Sequence, residues 1–107
     1  LSNAAAVWED RAPIAVGRNH LGSTVLEGKL HVMGGQLRED EGCTNMRHHE
    51  VYHSDTDSWE ALADLPVSLG HISPSVLSSP YGIVVVGGVT DQNKGCKPPG
   101  KRVNGIH

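Results

Sequence analysis

The sequence predicts an all-β fold built from a repeated unit of about 50 residues, and three observations carry that prediction. Paired features recur in one order: Trp8 and Trp59 are 51 residues apart, and the Gly pairs that begin at Gly34 and Gly87 are 53 apart. The 13 Gly and 6 Pro give a density typical of short strands joined by turns. No ten-residue window carries a helical period of apolar residues.

Two further pairs keep the same order, and the small change in period is assigned to one hairpin. His20 and His71 are 51 residues apart, and Cys43 and Cys96 are 53 apart. The predicted hairpin LEGKL is matched in the next unit by the longer LSSPYGI. Because insertions cost least in loops, the two extra residues are expected in that second hairpin.

One unit divides into four short strands joined by turns. The predicted strands are His20–Leu26, Lys29–Gly34, Glu50–His53 and Ser58–Leu62. Apolar and polar residues alternate along the second of them, as in a half-buried strand. Glu27-Gly28 has the composition of a two-residue hairpin turn, whereas the charged segment Gln36–His48 is predicted to be a long loop. Leu65-Pro66 ends the unit, and the pattern restarts at His71.

Composition argues against two classes of partner. The chain is 37% hydrophobic and 20% charged with a formal net charge of −3, which gives no electrostatic footprint for nucleic acid. The longest apolar run, Ile83–Val86, is far too short to span a bilayer. Neither nucleic acid nor a membrane is therefore expected as a partner.

The order Gly34-Gly35, Tyr52 and Trp59, followed one period later by Gly87-Gly88, resembles the kelch repeat. The resemblance covers Trp8 to His107 and includes the galactose-oxidase-like kelch propellers. It implies a β-propeller in which each unit is a four-stranded antiparallel blade. The Gly pairs are expected at the packed interface between blades, where a Cβ would crowd the neighbour. The residues expected to be structural are Gly34, Gly35, Tyr52, Trp59, Gly87, Gly88, His20 and His71.

On this basis, residues 1–107 are predicted to be a kelch propeller segment. Residues 1–19 would end a preceding blade and link it to the next, 20–62 would form a full blade, and 71–107 an incomplete one. Known propellers close with about four to eight blades. The missing blades are expected either from the rest of a longer chain or from self-association, since unpaired edges and an uncovered blade face favour assembly.

The two cysteines are too few to predict a disulfide framework. Cys43 and Cys96 hold equivalent positions in successive blades. Such positions near a propeller rim are expected to lie beyond the roughly 7 Å Cα separation that a disulfide allows. Two independent loop cysteines are therefore predicted, with no chemical role assigned to either.

A binding face is predicted where loops gather at one end of the blades. In an up-and-down meander, Gln36–His48 lies at the same end as Ala61–Gly70 and the segment that enters the first strand. The residues expected to converge there are Arg18, Asn19, Gln36, Arg38 and Glu39. Their charges and amides suit a protein partner or a polar or carbohydrate ligand. The alternative is ordinary solvated loop residues, and the next unit has Leu69-Gly70 in place of Arg18-Asn19.

Seven histidines raise the question of a metal site. His49 and His53 would share one face of a strand, close to His48 and Glu50. A closed zinc site needs about four ligands, and no second cluster has suitable spacing. The acidic run Glu39–Glu41 is interpreted as solvated charge. The sequence therefore predicts no metal and no cofactor.

The function that the sequence favours is a non-enzymatic kelch binding module. The alternative is part of a galactose-oxidase-like or sugar-epimerase-like kelch enzyme whose catalytic residues lie mostly outside this chain. No catalytic residue can be carried over from either enzyme, and fold analogy alone is weak support. Composition leaves the compartment open, while the likeness of RNHLGSTV to exported bacterial kelch proteins favours an exported location.

Overall fold

The computed structural model describes residues 6–39, 42–90, 92–93 and 101–107, and every regular element within them is a β-strand. The strands are β1 Gly22–Leu26, β2 Lys29–Met33, β3 Gln36–Glu39, β4 Gly42–Asn45, β5 His49–His53, β6 Ser58–Ala61, β7 Val76–Ser79, β8 Gly82–Thr90, β9 Gln92–Asn93 and β10 Lys101–Ile106. The all-β prediction is confirmed for this part of the chain. Within the same residues, no helix has the length and apolar character needed to cross a membrane.

The first sheet is a four-stranded antiparallel meander in the order β1-β2-β5-β6. Its first hairpin turns at Glu27-Gly28, where both residues have positive φ angles of 51° and 77°. That pair of angles is the signature of a type I′ turn, whose twist matches that of the flanking strands. The first strand begins at Gly22, because His20 adopts a left-handed φ of 52° that interrupts the predicted strand.

The antiparallel register assigns each residue of this sheet to one of two faces. Gly22, Met33 and His49 stand opposite one another on what we call the forward face. What we call the rear face carries Val25, Leu30, Val32, Glu50, Tyr52 and Trp59. Because strand side chains alternate, the two faces have separate environments.

A second sheet, in the order β10-β8-β7, packs against the forward face of the first. The buried cluster between them consists of Met33, Leu65, Leu69, Ile72 and Val85, with Val67, Val76, Ile83 and Val103 partly buried around it. Met33, Leu69 and Ile72 are fully buried. The connection between the units therefore supplies much of the hydrophobic core that joins them.

The two-residue insertion in the second unit does not lie in its hairpin, so the predicted position is wrong. Ser79 pairs with Gly82 just as Leu26 pairs with Lys29, and each hairpin thus has two turn residues. The extra residues instead form a turn before β7, in which the Ser75 amide donates a 2.9 Å hydrogen bond to the Ile72 carbonyl. This turn precedes the strand, where a change of length leaves the register of β7 and β8 intact.

The Gly-Gly pair after β2 lies where the connection to the second unit crosses the first sheet. Gly34 and Gly35 have φ angles of 61° and 97°, which disfavour any residue with a Cβ. A Cβ on Gly34 would also collide with the Leu69 carbonyl oxygen and with Cδ1 of Ile72. The Gly35 amide donates a 2.8 Å hydrogen bond to the Leu69 carbonyl, which fixes the second unit against the first.

Candidate functional site

The segment predicted as a long loop, Gln36–His48, contains two strands instead. β3 and β4 form a hairpin in which Gln36 pairs with Asn45 and Arg38 pairs with Cys43. β4 also pairs with β9, which belongs to the second unit. We call these three strands, β3, β4 and β9, the loop sheet. The loop prediction was wrong because β4 finds its second pairing partner in another unit, which local sequence pattern does not reveal.

Cys43 is buried at the centre of the loop sheet and is disulfide-bonded. The expectation of an independent cysteine is therefore wrong for this residue. The physical reason is the β4–β9 pairing, in which Cys43 lies opposite Asn93 and the loops of two units meet edge to edge. The chain's other cysteine, Cys96, lies outside the described residues.

Asn19 and Gln36 come together at the base of the loop sheet. The Asn19 amide donates to the Gln36 carbonyl at 2.9 Å, and the Gln36 amide donates back to the Asn19 carbonyl at 2.7 Å. Gly70 and Val89 form the same reciprocal pair in the second unit. Asn19 is exposed, whereas Gln36 is only 4% exposed, so the two residues differ in what they offer to a ligand.

Arg18 lies beside this pair, but its side chain points inward. Its guanidinium contacts both carboxylate oxygens of Glu50, at 2.8 and 3.3 Å, and also donates to the carbonyls of Gly34 and Val16. The Arg18 and Glu50 side chains are 0% and 5% exposed. In the structure Arg18 therefore has a buried ion-pair partner, Glu50. The ligand-binding role suggested for Arg18 stays a prediction.

Glu50 is the ion-pair partner of Arg18, a pairing that the sequence analysis did not predict. Its carboxylate stands on a strand position whose cross-strand neighbour is the apolar Val32. A buried charge in such a position needs an opposite charge or a full set of hydrogen bonds. Arg18, 32 residues earlier, meets that need.

The backbones of Arg38 and Glu39 form the end of β3, opposite Cys43 and Gly42. Their side chains lie outside the described part of the structure, as do Asp40 and Glu41 of the acidic run. The binding roles assigned to Arg38 and Glu39 remain predictions.

Two pairs of histidines are in contact, His31 with His49 and His20 with His71. Nδ1 of His31 and Nε2 of His49 are 2.9 Å apart across β2 and β5. Burial lowers the pKa of both imidazoles below the usual 6.5. The Lys29 charge lowers the pKa of His31 further, and the His31 charge lowers the pKa of His49 further. Among the described residues, no three His, Cys, Asp or Glu side chains are grouped so that they could hold a metal ion.

His20 and His71 stack on each other where the two units meet. Their ring centroids are 4.4 Å apart, and both residues have left-handed φ angles of 52° and 54°. The Ile72 amide donates a 3.2 Å hydrogen bond to the His20 carbonyl. Burial, and then the neighbouring His20, lower the pKa of His71. The equivalent histidines of successive units are thus in direct contact.

The N-terminal segment is hydrogen-bonded to the outer edge of the first sheet at Ala12. Nε1 of Trp59 donates to the Ala12 carbonyl at 2.7 Å, and the Ala12 amide donates to Oδ1 of Asp57 at 2.9 Å. The Tyr52 hydroxyl donates to the same carboxylate at 2.6 Å. This last bond raises the pKa of Tyr52 and lowers that of Asp57. Sequence reasoning singled out both aromatic residues but missed Asp57 and Ala12.

Comparison with known proteins places this architecture in a family. The family model described as the kelch motif matches residues 17–66, which include the whole of the first sheet. The chain belongs to the kelch-repeat family. The first sheet is therefore a kelch unit, of the kind that forms a blade of a β-propeller.

Kelch-repeat relatives match the chain over most of its length. Alpha-scruin from Limulus polyphemus is 33% identical over 92% of this chain and 10% of its own length. Kelch-like protein 15 from Mus musculus is 34% identical over 77% of this chain and 14% of its own. An F-box/kelch-repeat protein from Arabidopsis thaliana is 27% identical over 80% of this chain and 18% of its own. The kelch segment thus spans between a tenth and a fifth of the length of these relatives.

Proposed function

We propose that this kelch segment is a non-enzymatic binding module that recognises a protein partner through the end of the units that carries the loop sheet. The observation that carries the proposal is the β4–β9 pairing, which joins loops from two units into one surface. Beside this surface lie Asn19, which is hydrogen-bonded to Gln36, and the end of the connection between the units, where the Leu69 amide donates to the Met46 carbonyl at 3.1 Å.

Rigidity of this surface supports the proposal. Binding costs free energy when flexible loops become ordered, and a loop that is already paired as a sheet has less freedom to lose. The loop sheet is held from below by the Asn19–Gln36 hydrogen bonds and at its centre by the disulfide of Cys43. These features favour recognition by a preformed face.

An edge strand gives this face a chemical means of recognition. β3 is an edge strand of the loop sheet, and its inner side pairs with β4. The outer edge of such a strand offers backbone donors and acceptors to an extended peptide segment, here beyond Gln36, whose backbone groups are already paired with Asn19. Exposed Asn19 and the polar residues Arg38 and Glu39 would add side-chain specificity. A protein partner therefore fits this face better than a small apolar ligand.

The test compares proteins retained from an extract of the source organism by the wild type and by two variants. Asn19→Ala combined with Arg38→Ala alters the loop face, while Glu27→Ala alters the hairpin turn at the opposite end of the sheet. We expect a protein that the wild type and Glu27→Ala retain and that the double variant loses at least tenfold. Equal retention by all three proteins would refute the proposed face. Glycan binding that the double variant abolishes would replace the protein partner by a carbohydrate.

A further inference from the structure

Strand β10 contains a β-bulge with an exposed asparagine. The pairing of β10 with β8 shifts register between Val103 and Ile106. Asn104 and Gly105 therefore stand together opposite the single residue Gly87, a pattern in which the regular ladder is interrupted. Asn104 is exposed at this bulge. We propose that Asn104 is a site of self-catalysed deamidation, which converts its carboxamide to the carboxylate of an aspartate or an isoaspartate.

The residue that follows Asn104 favours this reaction. Asn104 is the only asparagine of the chain that a glycine follows. Deamidation begins when the backbone nitrogen of the following residue attacks the side-chain carbonyl carbon of the asparagine and closes a succinimide ring. A side chain on the following residue hinders that approach, and Gly105 has none. Glycine also gives the backbone the conformational freedom to reach the attacking geometry.

The reaction needs no reagent other than water. In the first step a bond forms between the Gly105 nitrogen and Cγ of Asn104, and the bond from Cγ to the amide nitrogen breaks. The proton of the Gly105 amide passes to the leaving nitrogen, which departs as ammonia. Water then adds to one of the two succinimide carbonyls and opens the ring. Addition at the side-chain carbonyl gives aspartate, whereas addition at the main-chain carbonyl gives isoaspartate.

His107 supplies a proton acceptor beside the reacting nitrogen. A Cβ placed on Gly105 would lie 3.5 Å from Nε2 of His107, so the imidazole lies against this glycine. The backbone of His107 is held by two 2.7 Å hydrogen bonds with Val85, one in each direction. An imidazole exchanges protons near neutral pH and suits the transfer of the amide proton to the leaving nitrogen. The Asp64 carboxylate, which lines the same cavity as His107 and His49, favours the imidazolium that forms in between.

Asn19 and Asn45 show that exposure alone does not define the site. Asn19 is exposed as well, but its backbone amide and carbonyl are both hydrogen-bonded to Gln36, and His20 follows it. Asn45 is only 5% exposed. The following glycine, the bulge and the neighbouring imidazole therefore distinguish Asn104 from both.

Deamidation at Asn104 would change the charge and the backbone of the second unit. Either product adds one negative charge to the formal net charge of −3. Isoaspartate also inserts a methylene into the main chain of β10, opposite Gly87. The space there is already narrow, because a Cβ on Gly87 would lie 3.2 Å from the Val103 carbonyl oxygen. The pairing of β10 with β8 should therefore weaken as isoaspartate accumulates.

The test follows the full chain during incubation at constant temperature over a series of pH values. Trypsin cleaves after Arg102, and mass spectrometry of the peptide Val103–His107 measures the loss of the carboxamide. Methyl transfer by an isoaspartate-specific methyltransferase measures isoaspartate, and the tryptic peptide that contains Asn19 is the internal control. The variants are Gly105→Ala and His107→Gln, with circular dichroism to verify their β structure. A Cβ at Gly105 makes only ordinary contact with His107, so Gly105→Ala is expected to fold.

We expect the wild type to accumulate aspartate and isoaspartate at Asn104 while Asn19 stays intact. Gly105→Ala and His107→Gln should each slow the conversion by about tenfold or more near neutral pH. The wild-type rate should rise and then level as the imidazole loses its proton, whereas the His107→Gln rate should follow the hydroxide concentration alone. Equal conversion at Asn104 and Asn19, or an unchanged rate in Gly105→Ala, would overturn the proposal. A His107→Gln variant with the wild-type rate and pH profile would overturn the role of His107.

Discussion

Arg18 and Glu50 form a bidentate ion pair between the segment entering β1 and the rear face of β5, with both side chains almost fully buried. Removing one member of such a pair leaves the other charge buried without a partner, which costs about 3–5 kcal/mol. Arg18→Ala should therefore lower the free energy of unfolding, measured in urea, by about that amount. The second unit supplies the control, since Leu69 replaces Arg18 there: Arg18→Leu combined with Glu50→Val should recover much of the loss. A double variant as unstable as Arg18→Ala would contradict this account.

Gly28 of the β1–β2 turn and Gly34 of the Gly-Gly pair allow backbone strain to be compared with packing cost. Gly28→Ala places a Cβ in open space at a φ of 77°, so we expect only the left-handed penalty of about 1–2 kcal/mol. Gly34→Ala pays the same penalty and also drives its Cβ into the Leu69 carbonyl and the Ile72 side chain. Chemical unfolding of the two variants should show the larger loss of stability for Gly34→Ala. Equal losses would show that the crossing of the two units can relax around the new methyl group.

The disulfide of Cys43 should stabilise the fold across the two units. Cys43→Ser is expected to lower the free energy of unfolding by about 2–4 kcal/mol under non-reducing conditions. The measurement is a urea titration of wild type and variant, each with and without a dithiol. The dithiol should lower the unfolding free energy of the wild type to that of the variant, and it should leave the unfolding free energy of the variant unchanged. A wild type indifferent to the dithiol would argue against the bond in solution.

The contacting pair His31 and His49 should make stability depend on pH. Both pKa values are lowered in the folded protein, so the unfolded chain binds more protons once the pH falls below about 6.5. Their stabilising contribution is therefore present above that pH and is lost as the pH falls toward their folded pKa values. Unfolding free energies should drop between about pH 7 and pH 5. Asp57 has a lowered pKa from an ordinary 3.8 and loses its contribution only at more acidic pH.

A variant of one histidine checks that assignment. His49→Gln removes one of the two titrating rings and keeps a hydrogen-bonding side chain opposite His31. Its unfolding free energy should change less between about pH 7 and pH 5 than that of the wild type. A variant with the full pH dependence of the wild type would place the titrating groups elsewhere.

The sequence predicted the first sheet well because its signals are local. Alternating side chains defined the strands and Glu27-Gly28 defined a turn, and the repeat of Trp and Gly-Gly predicted the kelch units. The loop sheet was missed because β4 and β9 pair across about one whole unit, and no local pattern records that pairing. The insertion was misplaced because sequence length alone cannot distinguish a longer hairpin from the extra turn at Ile72–Ser75.

The binding face was only partly accessible from sequence. Chain order placed Asn19 near Gln36, and their reciprocal hydrogen bonds bring them together in the structure. The orientation of Arg18 depends on Glu50, which is its neighbour only through the register of β2 and β5. Predicting which charges are buried in pairs thus requires the sheet register as well as the residue types.

The β4–β9 pairing also bears on how arrays of this kind change during evolution. Repeat proteins commonly gain and lose single units, because each unit interacts only with its neighbours through similar interfaces. Here β4 of one unit pairs with β9 of the next, and Cys43 of β4 is oxidised to a disulfide. Deleting or exchanging one unit alone would leave β4 paired with β3 but without β9. Duplication and recombination should therefore tend to preserve the two units together as one inherited module.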